Sequence, residues 1–113
     1  MKIEVNLFSE NPELLARFYA NALDLNIEEK VALGNIYYSC IDSDGNGFYI
    51  IPITNKEMQS ETANARFTIK VPSSLEKQQD LKQKGIRLKH AGPGESWFSF
   101  NDPQGNEIVI VKE

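Results

Sequence analysis

Few side chains in this sequence are of a type and spacing that could do chemistry unaided. His90 is the only histidine and stands just before Ala91-Gly92-Pro93-Gly94. A lone imidazole can serve as acid or base near neutral pH, but its place at the end of a strand run reads as an exposed, loop-side residue. Cys40, the only cysteine, lies in phase with Ile36 and Tyr38. A buried structural thiol is expected there, because a nucleophile would need a base beside it and a depressed pKa. Asp42-x-Asp44-x-Asn46-Gly47 matches the first half of an EF-hand loop, yet Ile53 stands at the twelfth position, where a bidentate Glu belongs. The segment reads instead as a tight hairpin turn built from Asp, Asn and Gly. Gly92-Pro93-Gly94 lacks both the spacing of a phosphate-binding loop and the helix that should follow one. No local motif assembles a Ser-His-Asp set, although such triads form in three dimensions.

These residues hang on elements that the hydrophobic pattern makes legible. Lys2 to Phe8 alternates, with Ile3, Val5 and Leu7 on one face, which predicts a half-buried strand. Asn11-Pro12-Glu13 then supplies a cap, a first-turn proline and an early acid for a helix. Leu14, Leu15, Phe18, Ala22 and Leu25 give that helix its expected buried stripe. Strands follow at about 27–33, 36–41 and 48–53, punctuated by Gly34-Asn35 and Asp44-Gly45-Asn46-Gly47. The polar, aperiodic stretch of about 54–64 reads as a linker. After it, Arg66 to Val71 alternates with Phe67, Ile69 and Val71 on the apolar face. Ser73-x-x-Glu76 is a capping-box signal, and the second helix is expected to end at Gly85 with a thin stripe of Leu75 and Leu81. Strands at about 86–90, 96–101 and 106–112 complete the chain.

The order is one unit written twice. Asp42-x-x-Gly45-Asn46 and Asp102-x-x-Gly105-Asn106 share a pattern 60 positions apart. At that offset Tyr38 falls on Phe98, Cys40 on Phe100, Phe48 on Ile108 and Ile50 on Ile110. At the first strands the offset is 62, where Val5 meets Phe67 and Leu7 meets Ile69. The expected fold class is therefore α+β: two tandem βαβββ modules, about 1–53 and about 65–113, in one domain. Short hairpins predict mostly antiparallel sheets with helices on their apolar faces.

Composition narrows the function classes. At 113 residues, 41% hydrophobic and 25% charged, the chain is an ordinary globular domain. A net charge of −4 argues against a nucleic-acid partner, which would demand clustered Lys and Arg. Lys77, Lys82, Lys84, Arg87 and Lys89 are interrupted by Glu76 and Asp80, and read as a solvated face. No apolar run reaches the roughly 20 residues of a membrane span. The N-terminal stretch alternates and carries Glu4 and Glu10, unlike a secretory signal, so a reducing cytoplasm is expected.

Over its whole length the sequence resembles the vicinal oxygen chelate superfamily of glyoxalase, bleomycin-resistance and extradiol dioxygenase-like proteins. Phe18-Tyr19 and Phe98-x-Phe100-x-Asp102-Pro103-x-Gly105-Asn106 carry the resemblance, together with the internal βαβββ duplication. It implies curled sheets around a cavity, helices on the outer faces, and a homodimer with exchanged modules or a closed monomer. Metal-bearing members use four cavity positions, which fall here on Glu4, Tyr49, Arg66 and Val109. Each is out of phase with the apolar face of its own strand. Glu4 could ligate a divalent ion. Tyr49 carries a phenol that is protonated at neutral pH, Val109 has no donor, and Arg66 repels a cation. No metal or other cofactor is therefore expected.

On the same alternation the cavity face carries Glu4, Asn6, Tyr37, Ser39, Tyr49, Ile51, Arg66, Thr68, Trp97, Ser99, Val109 and Val111. Glu4, Asn6, Tyr37, Tyr49, Arg66, Thr68, Trp97 and Ser99 are the candidate ligand-binding residues, and none is assigned a catalytic role. Glu4 and Arg66 hold equivalent places with opposite charge. They could form an ion pair, leave Arg66 to recognise an anion, or both lie exposed. The leading expectation is a metal-independent protein that binds or sequesters a small organic molecule. Two alternatives stand beside it: a glyoxalase- or isomerase-type metal-dependent lyase using Glu4, and a structural or regulatory dimer with a vestigial cavity.

Overall fold

The computed structural model describes residues 1, 4–54 and 65–113. The chain divides into two compact units, Met1–Ala63 and Asn64–Glu113. In the first, the order is β1 (Asn6–Ser9), α1 (Pro12–Leu23), β2 (Asn26–Ala32), β3 (Asn35–Ile41) and β4 (Gly47–Pro52). The second repeats it as β5 (Arg66–Val71), α2 (Ser74–Gln83), β6 (Leu88–Ala91), a 3₁₀ turn (Pro93–Glu95), β7 (Trp97–Asn101) and β8 (Glu107–Lys112). The strand orders are β1-β4-β3-β2 and β5-β8-β7-β6. The helix of each unit carries the chain back across its sheet, so the first strand runs parallel to the last. The hairpin-linked pairs are antiparallel. Each sheet is thus mixed, mostly antiparallel, and not closed on itself.

The repeated Asp-x-x-Gly-Asn is the same turn in both units. Asp42 Oδ1 accepts from the backbone N–H of Asp44 and of Asn46, both at 2.9 Å. Asp102 Oδ1 accepts from Gln104 and Asn106, at 2.8 and 3.0 Å. Backbone bonds from Gly45 to Asp42 and from Gly105 to Asp102, each 3.1 Å, close the loops. The EF-hand half-match is therefore a turn whose acid satisfies its own backbone. In the second unit Asp102 and Asn106 are buried and the turn is tied further: Asn106 Nδ2 donates to Asp102 Oδ2 at 2.7 Å, and Asn106 Oδ1 accepts from Ala65 N at 2.8 Å.

Both helices begin where their caps predict. Asn11 Oδ1 accepts from Leu14 N at 3.3 Å with Pro12 in the first turn, and Ser73 Oγ accepts from Glu76 N at 3.2 Å. α2 stops in a Schellman motif: Gly85, at φ +79°, donates to Lys82 O, and Ile86 donates to Leu81 O.

The buried faces differ from the expected stripes. In α1 the sheet side is Leu15, Ala16, Tyr19 and Ala22, while Leu14 is 50% exposed. Tyr19 takes the centre because its ring packs on Phe48, with centroids 5.0 Å apart. Asp24, left-handed at φ 55°, ends the helix before Leu25. In α2 the cap sets a phase that turns Ser74, Gln78 and Leu81 inward, and Leu75 lies 43% exposed. The core of each unit is the apolar sheet face under its helix. Cys40 and Ile50 are fully buried in the first, as are Phe98, Phe100, Ile108 and Ile110 in the second. Val5 and Ile36, expected on the apolar faces, are exposed at the sheet margins. The first ladder begins at Asn6, later than expected, with Tyr49 N donating to Val5 O at 2.8 Å just ahead of it. Lys2 and Ile3, and the expected linker over 55–64, lie outside the described residues.

Candidate functional site

Strand register decides which side chains share the sheet faces turned away from the helices. In the first unit Asn6 pairs with Tyr49, and Tyr49 with Ser39. The Tyr37 and Tyr49 rings stand 6.2 Å apart at 49°. Asn6, Tyr37 and Tyr49 are thereby brought to one surface, with Asn6 exposed and both tyrosines partly so. Glu4 precedes β1 and is exposed.

In the second unit three rows cross the face away from α2. Arg66 pairs with Glu107 and Glu107 with Asn101. Thr68, Val109, Ser99 and His90 form the next row, and Lys70, Val111 and Trp97 the third. Arg66, Thr68, Trp97 and Ser99, named from sequence, therefore share one surface. Trp97 is held by its neighbour: Gly92 N–H donates to Trp97 O at 2.8 Å, and a Cβ at Gly92 would collide with the indole.

The polar group of this surface is organised by a residue that the sequence reading missed. Glu107, with 16% of its side chain exposed, lies 3.2 Å from Arg66 Nε through Oε1. Its Oε2 accepts from Ser99 Oγ at 2.9 Å, and Lys89 Nζ stands 3.9 Å from the same oxygen. The Ser99 hydrogen bond chiefly holds the carboxyl below the usual range. Partial desolvation opposes it, and Lys89, Arg66 and His90 add to it. Arg66 is thus engaged by an acid of its own unit, a partner not foreseen among the expectations for it. One signal was available: at the repeat offset Glu107 matches Gly47, whose added Cβ would run into the Cys40 carbonyl. The second unit places a charge where the first has no room for a side chain.

Lys89 and His90 reach this surface through a β-bulge. Leu88 pairs with Phe100 and His90 with Ser99, so one extra residue is inserted in β6. His90 is accordingly a strand residue opposite Ser99, exposed but not loop-side as expected. No periodicity in the sequence announces such an insertion.

Other candidates resolve differently. Burial pushes the Cys40 thiol up to about 11, and its Sγ lies 4.0 Å from Ala16 O, as suits a structural cysteine. On the helix side of the first unit, a groove of about 350 Å³ is lined by Glu13, Ala16, Arg17, Ile27, Glu29 and Tyr38. Arg17 is taken by Glu13 there at 2.9 Å. Burial first, then Glu13 and Glu29, raise the Tyr38 phenol further. Among the described residues no group of three or more His, Cys, Asp or Glu could hold a metal ion. Of the four positions that the resemblance suggests for a metal, Glu4 offers a carboxylate, whereas the Tyr49 phenol, the Arg66 guanidinium already paired with Glu107 and the Val109 side chain do not fit a divalent cation.

No family model and no curated protein match the sequence. Solved structures match its fold throughout. A lactoylglutathione lyase from Agrobacterium tumefaciens is 15% identical, with TM-score 0.66 over 99% of this chain and 92% of that one. TnmS3, described as an antibiotic binding protein from Streptomyces sp. CB03234, is 12% identical, with TM-score 0.73 over 99% and 96%. A glyoxylase/bleomycin resistance protein/dioxygenase domain from Frankia sp. EAN1pec is 11% identical, with TM-score 0.74 over 99% and 96%. At such identities the likeness shows the fold alone, the one these glyoxalase- and bleomycin-resistance-type structures have.

Proposed function

We propose that this protein binds a small organic molecule without a metal. The observation that carries the reading is the second sheet's face away from α2, where the Arg66–Glu107–Ser99 group adjoins Trp97 and Val109. A few fixed polar groups beside an indole and aliphatic walls suit small-ligand recognition. Tyr37 and Tyr49 give the first sheet an aromatic surface of its own. The likeness to TnmS3, described as antibiotic-binding, supports the same class. The reading places the protein in the cytoplasm as a homodimer, in keeping with its buried free thiol and with the family resemblance. Among the described residues no helix is long and apolar enough to cross a membrane.

The likeness to a lactoylglutathione lyase favours a second reading, a metal-dependent lyase with Glu4 as ligand. A thermal-shift screen separates the two. Zn²⁺, Ni²⁺ and Mn²⁺ are tested beside a panel of aromatic and anionic compounds. A ligand at 100 times its Kd stabilises the folded state by about 2.7 kcal/mol. Stabilisation by organic compounds alone is the expected result. Stabilisation by low-micromolar metal would overturn it in favour of the lyase, and no response to any compound would favour a structural dimer.

A further inference from the structure

We infer that the ligand is a small aromatic anion, a carboxylate or phosph(on)ate, held by Arg66 and Lys89 with Glu107 as the internal counter-ion it displaces. This rests on the binding reading above and names its ligand class.

Charge is the first argument. The chain as a whole carries −4, yet the cluster around Glu107 sets two permanent cations, Arg66 and Lys89, against one carboxylate. Lys70 adds a third cation on the same face, in the row of Trp97, and His90 stands opposite Ser99. Positive charge is therefore concentrated on one sheet face of an acidic protein.

Hydrogen-bonding capacity is the second. A guanidinium offers five donors, whereas Glu107 has one oxygen accepting from Ser99 and the other 3.2 Å from Arg66 Nε. At 3.9 Å, Lys89 Nζ is too far from Glu107 for a hydrogen bond. Arg66 and Lys89 remain 65% and 45% exposed, so their donors face solvent. An anion arriving there finds two cations held near the right place by a carboxylate that cannot saturate them.

Geometry is the third. Trp97 and Ser99 are two residues apart on one strand and one face, about 7 Å along β7. Arg66 and Glu107 lie one row beyond Ser99, so the indole stands two rows, about 14 Å along the strands, from the cations. An aryl acid seated on Arg66 and Lys89 would point its ring toward Trp97 rather than stack on it. The bulge strengthens the case. It inserts Lys89 between Leu88 and His90 without changing the partner of either, and the inserted ammonium stands 3.9 Å from the same carboxylate.

The test is a fluorescence titration of Trp97, the only tryptophan, with benzoate, phenylphosphonate, benzylamine and benzyl alcohol at pH 7.5 and low salt. The two anions are expected to change the emission and bind tightest. Lys89→Met should weaken them about tenfold, and Glu107→Gln should tighten them severalfold by removing the competing charge. Lys82→Met, on the exposed side of α2, should leave binding unchanged, and melting curves confirm that each variant folds. A benzoate preference over phenylphosphonate would mark a carboxylate site, and the reverse a phosphoryl site. Binding of benzylamine or benzyl alcohol in preference to the anions would overturn the ligand class while leaving the binding function intact. Loss of binding in Glu107→Gln equal to that in Lys89→Met would overturn the counter-ion role. Failure of all four compounds to bind the folded protein would overturn the aromatic-anion proposal, while the wider thermal-shift panel decides the binding reading separately.

Discussion

Ser99 Oγ, fully buried on β7, donates across to Glu107 Oε2 on β8 at 2.9 Å. The two are diagonal neighbours in the ladder, since Ser99 pairs with Val109 and Glu107 with Asn101. The bond fixes one carboxylate oxygen and leaves the other toward Arg66. Because Glu107 is held below its ordinary pKa, folding favours its ionised form. Its stabilising contribution is present above its unfolded value of about 4.3 and is lost as pH falls through the lower folded value. Glu107→Gln should therefore be less stable than the parent at pH 7, with the gap closing at pH 3. Ser99→Ala should shift the Glu107 titration upward. Urea melts at the two pH values and a carboxyl NMR titration check both.

Asp42 and Asp102 build the same turn in different surroundings. Asp102 and Asn106 are 5% and 2% exposed, and their side chains also bond each other. Asp102→Ala leaves several buried donors unsatisfied and should cost about 2–4 kcal/mol. The turn donors that Asp42 serves lie at the surface, where water replaces the carboxylate, so Asp42→Ala should cost about 1 kcal/mol or less. Chemical denaturation of the two variants measures the difference.

Gln78 sits on the inward side of α2, 7% exposed, and its Oε1 has no hydrogen-bond partner. An unsatisfied buried amide is a standing cost. Gln78→Leu should raise stability by about 1 kcal/mol, whereas Leu81→Ala on the same side should lower it by about 2–4 kcal/mol. Opposite shifts of the two urea midpoints are the expected result.

With its pKa pushed up to about 11, only about one Cys40 in a thousand is thiolate at pH 8. It is also fully buried. Native protein should resist Ellman's reagent at that pH and react once unfolded in urea. Rapid native labelling would contradict the burial.

Most of the architecture could be read because it depends on local signals. Asn11-Pro12 and Ser73-x-x-Glu76 started both helices where expected, and the duplicated Asp-x-x-Gly-Asn marked equivalent turns. Period-2 alternation put Arg66, Thr68, Trp97 and Ser99 on one face. What stayed hidden depended on packing between elements. Tyr19 displaced Leu14 from the core because an aromatic ring fitted against Phe48, a contact that periodicity does not weigh. Glu107 was passed over because its importance comes from a diagonal serine and cations on β5 and β6, which only register brings near.

The bulge in β6 bears on how this surface could change over evolutionary time. Deleting Lys89 alone would restore an even ladder, with the histidine still opposite Ser99 and Leu88 still opposite Phe100. Neither β7 nor β8 would have to move. A single in-frame codon loss could thus remove a positive charge from the face while sparing the core beneath it. Insertion and deletion, not only substitution, are then a short mutational route between cationic and neutral versions of one scaffold.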